Sequence, residues 1–219
     1  MKTALLVHSH SGANELVKRH APWWAKSKLD TFGIGRTDTK CIWPADMLEF
    51  KVGREGRDNL SSRLVETFRL FLSHPAFDEY THAMVIESDA IFLRPPPEMH
   101  IEAAATLSGG PIVGFKARDF FHTPWWMDRS TAAAFVDEGS VMVRSGDVEH
   151  NSPDFFISLA FQYMRRPMGY LTGTYCRNSL EYPPHLEEAR TGIQNGAFWY
   201  VHGVKTKEQL DYITNGIPR

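Results

Sequence analysis

Cysteine is nearly missing from this chain: Cys41 and Cys176 are the only two in 219 residues, far apart and in no CxxC pair. Two distant thiols define no disulfide framework, so the fold must rest on a hydrophobic core, and a reducing cytoplasm is the expected setting. Long apolar runs are missing too. The first uninterrupted one is Ala4 to Val7, cut off by His8, too short for a secretion-signal core or a membrane span. The expectation is a soluble protein that is not exported and has no transmembrane segment. Nor is there an excess of positive charge. With 24 Lys and Arg against 26 Asp and Glu, the net charge of −2 provides no global field to gather nucleic acid or anionic lipid. Any phosphate has to be held locally. No internal repeat, low-complexity tract or Pro/Gly-rich linker divides the chain. Its 219 residues suit one α/β domain.

What the chain does contain is a rhythm of strands and helices. Thr3 to His8 reads as a buried strand, Ser9-His10-Ser11-Gly12 as a turn, and Asn14 to Lys26 as a helix. Leu29 to Ile34 is a second strand, followed by a polar, Gly-bearing stretch through Arg57. Leu60, Leu64, Phe68, Leu70, Phe71 and Leu72 have helical apolar spacing, and that helix should end near Ser73-His74-Pro75. Met84 to Ile86 is the next strand, and Arg94-Pro95-Pro96-Pro97 ends regular structure, since prolines lack the donors a ladder needs. Farther on, Ile112 to Phe115 and Ser140 to Arg144 read as strands around an aromatic loop, Phe120-Phe121-His122-Thr123-Pro124-Trp125-Trp126. Asp154 to Met164 reads as a helix with Ser152 as cap and Pro153 in its first turn. Phe198 to Val201 is a last strand and Thr206 to Ile213 a terminal helix. Ala103-Ala104-Ala105 and Ala132-Ala133-Ala134 are packing segments. The pattern predicts a single α/β domain with a mixed sheet flanked by helices, a nucleotide-binding-like amino half over residues 1–97 and a less regular half over 98–219.

The most informative segment is Ala83 to Leu93, where Glu87-Ser88-Asp89 interrupts an otherwise apolar run. An unpaired buried carboxylate takes up a proton rather than stay charged, so two of them at one strand end need a cation or polar ligand. In extended backbone, alternate residues share a face, which aims Glu87 and Asp89 into one cleft and Ser88 away. Oxygen donors of this kind suit a hard cation, Mg²⁺ or Mn²⁺. The carboxyl edge of an open α/β sheet is also where ligands bind. The bland alternative is a solvated strand end.

Strand-Glu87-Ser88-Asp89-apolar resembles the acid-x-acid motif of metal-dependent, nucleotide-sugar glycosyltransferases with the glycosyltransferase type A fold, a Rossmann-like α/β architecture. That motif usually begins with Asp. The resemblance implies a nucleotide-diphosphate sugar donor, a glycan or other hydroxyl acceptor, and Asp89 as a direct metal ligand, with Glu87 on the metal or the ribose. Tyr200-Val201-His202-Gly203-Val204-Lys205 is similar to the segment that supplies a third metal ligand, here His202, and a lysine for the diphosphate, here Lys205; the Pro-Trp that follows in the fuller pattern is missing. It further implies a donor-sugar arginine on the preceding helix, Arg69 or Arg63, and a general base, Asp154, with Asp137 and Glu138 as back-ups. Arg69 points to retention and Asp154 to inversion of the sugar. His8, Ser9 and His10 would border the nucleotide together with Ser88. Trp125, Trp126, Phe120, Phe121 and His122 would form an acceptor platform beside Asp119 and Asp128. Two other readings stand beside this one. His8-x-His10 also resembles the metal motif of barrel hydrolases, and the chain could be a catalytically silent nucleotide-sugar-binding module.

Overall fold

In a computed structural model, the described residues are 1–9, 11–37, 40–53, 60–98, 102–108, 120–145, 153–176 and 180–217. Thr3–His8 (β1) is buried at every position, as an apolar run must be when both faces of its strand are covered. Two parallel neighbours flank it: Asp30–Arg36 (β2), with Leu6 opposite Phe32, and His82–Glu87 (β4), with His8 opposite Glu87. Glu49–Val52 (β3) adds to β2. Beyond β4, Phe120–Asp128 (β7) runs antiparallel, followed by Ala103–Ser108 (β6) and Gly169–Tyr170 (β8). The result is a mixed seven-stranded sheet in the order β3-β2-β1-β4-β7-β6-β8. A smaller sheet joins Ile91–Phe92 (β5), Tyr200–His202 (β10) and Thr174–Cys176 (β9), with β10 in the middle.

The helices divide between the two faces according to the period-two alternation of the strands. Leu6, Ile34, Val85 and Trp125 point to the face covered by Leu60–Ser73 (α2), Arg129–Ser145 (α3) and Pro153–Met164 (α4). Leu5, Val7, Met84, Ile86 and Trp126 point the other way, toward Asn14–Trp24 (α1) and the small sheet. Pro183–Gln194 (α5) and Lys207–Thr214 (α6) cover the far side of that small sheet through Ala189, Ile193, Leu210 and Ile213. Thr206 starts α6 with a capping box, its hydroxyl accepting from the Gln209 amide. Among the described residues no helix is long and apolar enough to cross a membrane.

Three expectations change. The aromatic segment is no loop: Phe120 to Trp126 lies within β7, and successive tryptophans fall on opposite faces, each about 1% exposed. Trp125 and Trp126 are therefore core side chains, Trp126 stacked on His82 at 4.3 Å, and they offer no acceptor platform. Ser140 to Arg144 is not a strand but the last part of α3. Ala132, Phe135, Val136, Gly139 and Met142 recur at helical spacing and bury one stripe, which overrides the β-branched Val141 and Val143. Ala103 to Ala105 is strand β6 rather than anonymous packing. Five elements, β3, β5, β8, β9 and α5, were not anticipated. The expected strand Ile112–Phe115 lies outside the described residues, as do His10, Asp119 and Ser152.

Candidate metal and transfer site

The acidic pair sits where β4 ends, in a turn closed by the Ala90 amide donating to the Glu87 carbonyl at 3.1 Å. Neighbours hold that turn by its backbone. His20 Nδ1 donates to the Ser88 carbonyl at 2.8 Å, Trp24 Nε1 to the Ala90 carbonyl at 2.7 Å, and the Val204 amide to the Asp89 carbonyl at 2.8 Å. The last bond brings in the tail of the chain. Gly203, at φ 89°, occupies the left-handed region that favours glycine and lets the chain turn directly after His202.

His202, 115 residues from Glu87, lies on the two carboxylates: Nε2 is 2.9 Å from Glu87 Oε2 and 3.0 Å from Asp89 Oδ1. One N–H cannot serve both acceptors. It aligns with Glu87, and Asp89 Oδ1, though buried, is left without a hydrogen bond. The donor set of two carboxylates and an imidazole, with one orphaned buried oxygen, fits a divalent cation, and the three ligand atoms lie within 4.8 Å of one another. Burial opposes charge on Asp89, but the charge and proximity of His202 outweigh it and hold Asp89 down at about 2. Desolvation likewise opposes charging His202, and Asp89 overcomes it, holding the imidazole well above its ordinary range. Without a metal, a proton on His202 holds the two acids together.

Three further groups join from other elements. Cys176, opposite His202 on β9, puts Sγ 3.3 Å from His202 Nδ1, and burial pushes its thiol up. His122 on β7 stacks obliquely on His202 with ring centroids 4.5 Å apart. Asp154, in the first turn of α4, approaches His122 Nε2 at 3.2 Å, and burial, with the Glu87 charge adding to it, raises its carboxyl to about 8. Asp154, Glu87, Asp89 and His202 were named from the sequence; Cys176 had no local signal, and His122 stood only among residues of other assumed roles.

The other candidates lie around or away from this cluster. Lys205 is exposed at its rim and near enough for its charge to help lower Asp89. Ser88 is buried. Arg63 does not reach the acids; its guanidinium donates to the carbonyls of Ser9 and Ile34 at 3.2 and 3.4 Å, tying together the ends of β1 and β2. Arg69, roughly 9 Å farther along α2 at 1.5 Å per residue, is held by Glu66 and by Ser140 Oγ. Asp137 is exposed on α3, and Glu138 beside it is half-buried; neither belongs to the metal-capable groups found among the described residues. Ser9 is buried with its hydroxyl unpartnered.

His8 is turned into the protein, its Nε2 2.7 Å from Thr67 Oγ1. Thr67 gives its own proton to the Arg63 carbonyl at 2.8 Å, so it accepts from His8 and selects the neutral Nε2–H tautomer. Burial, reinforced by the Arg63 charge, lowers the His8 pKa well below 6.5. The unfolded chain therefore takes up this proton first as pH falls. The stability associated with neutral His8 is present above about pH 6.5 and is lost below it, by up to about 1.4 kcal/mol per pH unit. Urea midpoints measured from pH 7 to 5 should accordingly fall less steeply in His8→Gln than in the parent. Equal slopes would remove His8 from the acid response.

No protein-family model matches the chain, and no curated protein matches it in sequence.

Proposed function

We propose that the chain transfers a sugar from a nucleotide-diphosphate donor to an acceptor hydroxyl, in a Rossmann-like glycosyltransferase type A arrangement, with Mn²⁺ or Mg²⁺ as cofactor and the cytoplasm as its setting. One observation carries this reading: Glu87 and Asp89, at the carboxyl end of a parallel strand, meet His202 from the far tail within 3.0 Å. The sequence resemblance named the same three residues.

A bound dication supplies Lewis-acid charge against the departing nucleoside diphosphate. Glu87, Asp89 and His202 would hold it, and the clamps from His20, Trp24 and Val204 keep the acids in place beforehand. Lys205 at the rim faces the diphosphate charge. Asp154 takes the acceptor proton as the hydroxyl attacks the anomeric carbon; its carboxyl, raised to about 8, is a stronger base than a solvated one once ionised. With Arg69 engaged by α3, support for the retaining outcome recedes and inversion is favoured.

The hydrolase reading has less support. A His-x-His ligand pair needs His8 to face a metal, whereas His8 bonds to Thr67, and an open seven-stranded sheet is not an eight-unit barrel. Calorimetry against a panel of nucleotide-diphosphate sugars, with and without Mn²⁺, tests the proposal. The expected result is one donor whose binding requires the metal, accompanied by slow metal-dependent release of nucleoside diphosphate. Binding without any release or transfer identifies the silent module instead, and no metal-linked binding to any donor defeats the proposal.

A further inference from the structure

On the side of His202 away from the acidic pair lies a second set of donors of different chemical character. His122, Cys176 and His202 are all buried, and one ligand atom from each falls within 4.8 Å of the others. The spacing between the sulfur and the His202 nitrogen suits two ligands of a tetrahedral ion. Zn–S of about 2.3 Å and Zn–N or Zn–O of about 2.0–2.1 Å at tetrahedral angles put donors roughly 3.3–3.5 Å apart. Cys176 Sγ to His202 Nδ1 is 3.3 Å, and His122 Nε2 to Asp154 Oδ2 is 3.2 Å. Asp154 Oδ1 is buried and has no hydrogen-bond partner. We propose that His122, Cys176 and His202 form a site for a thiophilic divalent cation, Zn²⁺ or its surrogate Co²⁺, distinct from the hard-cation site of Glu87 and Asp89, with the Asp154 carboxyl beside it against His122.

The outer shell is already in place. A metal-bound imidazole generally gives its remaining N–H to a carboxylate, and His202 has Glu87 and Asp89 on Nε2 for that purpose. His122 Nδ1 accepts from the Thr123 amide at 2.8 Å, so coordination through Nε2 moves its proton to Nδ1 and removes that bond. One lost backbone hydrogen bond is small against the binding free energy of a thiolate-ligated zinc ion. Three protein donors leave the fourth position of a tetrahedral ion to water or another ligand.

His202 makes the two sites antagonists. A neutral imidazole has one nitrogen lone pair: an ion on Nδ1 leaves Nε2–H facing the acids, and an ion on Nε2 leaves Nδ1–H facing Cys176. An ion here also competes for the His122 ring that Asp154, the proposed base, contacts. The site does not depend on sugar transfer being the activity.

Metal-free protein titrated with Co²⁺ is the test. The expected result is one equivalent bound with a thiolate-to-cobalt charge-transfer band and the intense visible bands of a four-coordinate centre, all displaced by Zn²⁺. Cys176→Ser and His122→Asn should lose the band, whereas Asp89→Ala keeps it while losing Mn²⁺. Zinc-loaded protein should bind Mn²⁺ about tenfold more weakly or worse. Parent protein without a thiolate band overturns the site regardless of how the variants fold. So does a band that survives Cys176→Ser, and unchanged Mn²⁺ affinity in zinc-loaded protein overturns the shared imidazole.

Discussion

Asp89→Ala should lose Mn²⁺-linked donor binding by about a hundredfold or more, since even outer-shell changes at metal sites cost about 10–100-fold. In the proposed site Asp89 is the ligand expected to matter most. Its side chain is 13% exposed against 30% for Glu87, its carbonyl is held by the Val204 amide, and its Oδ1 is the buried oxygen left without a hydrogen bond. The variant should nevertheless fold. Alanine withdraws the charge that holds the His202 proton, so the thermal midpoint should fall at neutral pH, while the bond from His202 to Glu87 remains to support the fold. Calorimetry with Mn²⁺, followed by donor plus Mn²⁺, reads the effect directly. A folded Asp89→Ala protein with undiminished metal affinity would falsify the site.

The second large effect is expected at Asp154. Asparagine is nearly the same size and can keep a bond to His122, but it cannot accept the acceptor's proton. General-base contributions are about 10²–10⁴-fold, so kcat should drop by that amount while donor and Mn²⁺ affinity stay near those of the parent. The split between kcat and binding separates a base from a residue that merely supports His122. Turnover at the parental rate in Asp154→Asn would eliminate it as base, and would favour a retaining route in which no such base is needed.

The acidic pair was legible in the sequence because carboxylates inside an apolar run are costly without a partner, a local signal needing no knowledge of the fold. His202 was legible only through resemblance, since nothing near it in sequence says that β10 lies beside β5. Cys176 was invisible. Its role arises from the parallel pairing of β9 with β10, and a three-residue strand carries too little periodicity to predict. In the amino half β1, β2 and β4 were legible as continuous apolar runs buried on both faces, and α1 and α2 as helices burying one regular stripe. β7 did not, because Phe120 to Trp126 has aromatic residues on both faces and so lacks the polar alternation by which a strand is usually recognised. The partners of Arg63 and Arg69 were illegible for a related reason. Helical spacing says which face a side chain occupies but not that Ser9 and Ile34 carbonyls, or Ser140, wait there.

The bond from the Val204 amide to the Asp89 carbonyl has a consequence for biogenesis. The acids and the imidazole lie 115 residues apart along the chain, so a nascent chain carries no competent centre until the segment bearing His202 has emerged and docked. An ion that bridges them then acts as a latch, since a ligand bound only by the folded state stabilises that state in proportion to its saturation. Metal supply would thus govern how often the carboxyl-terminal segment peels away from the sheet.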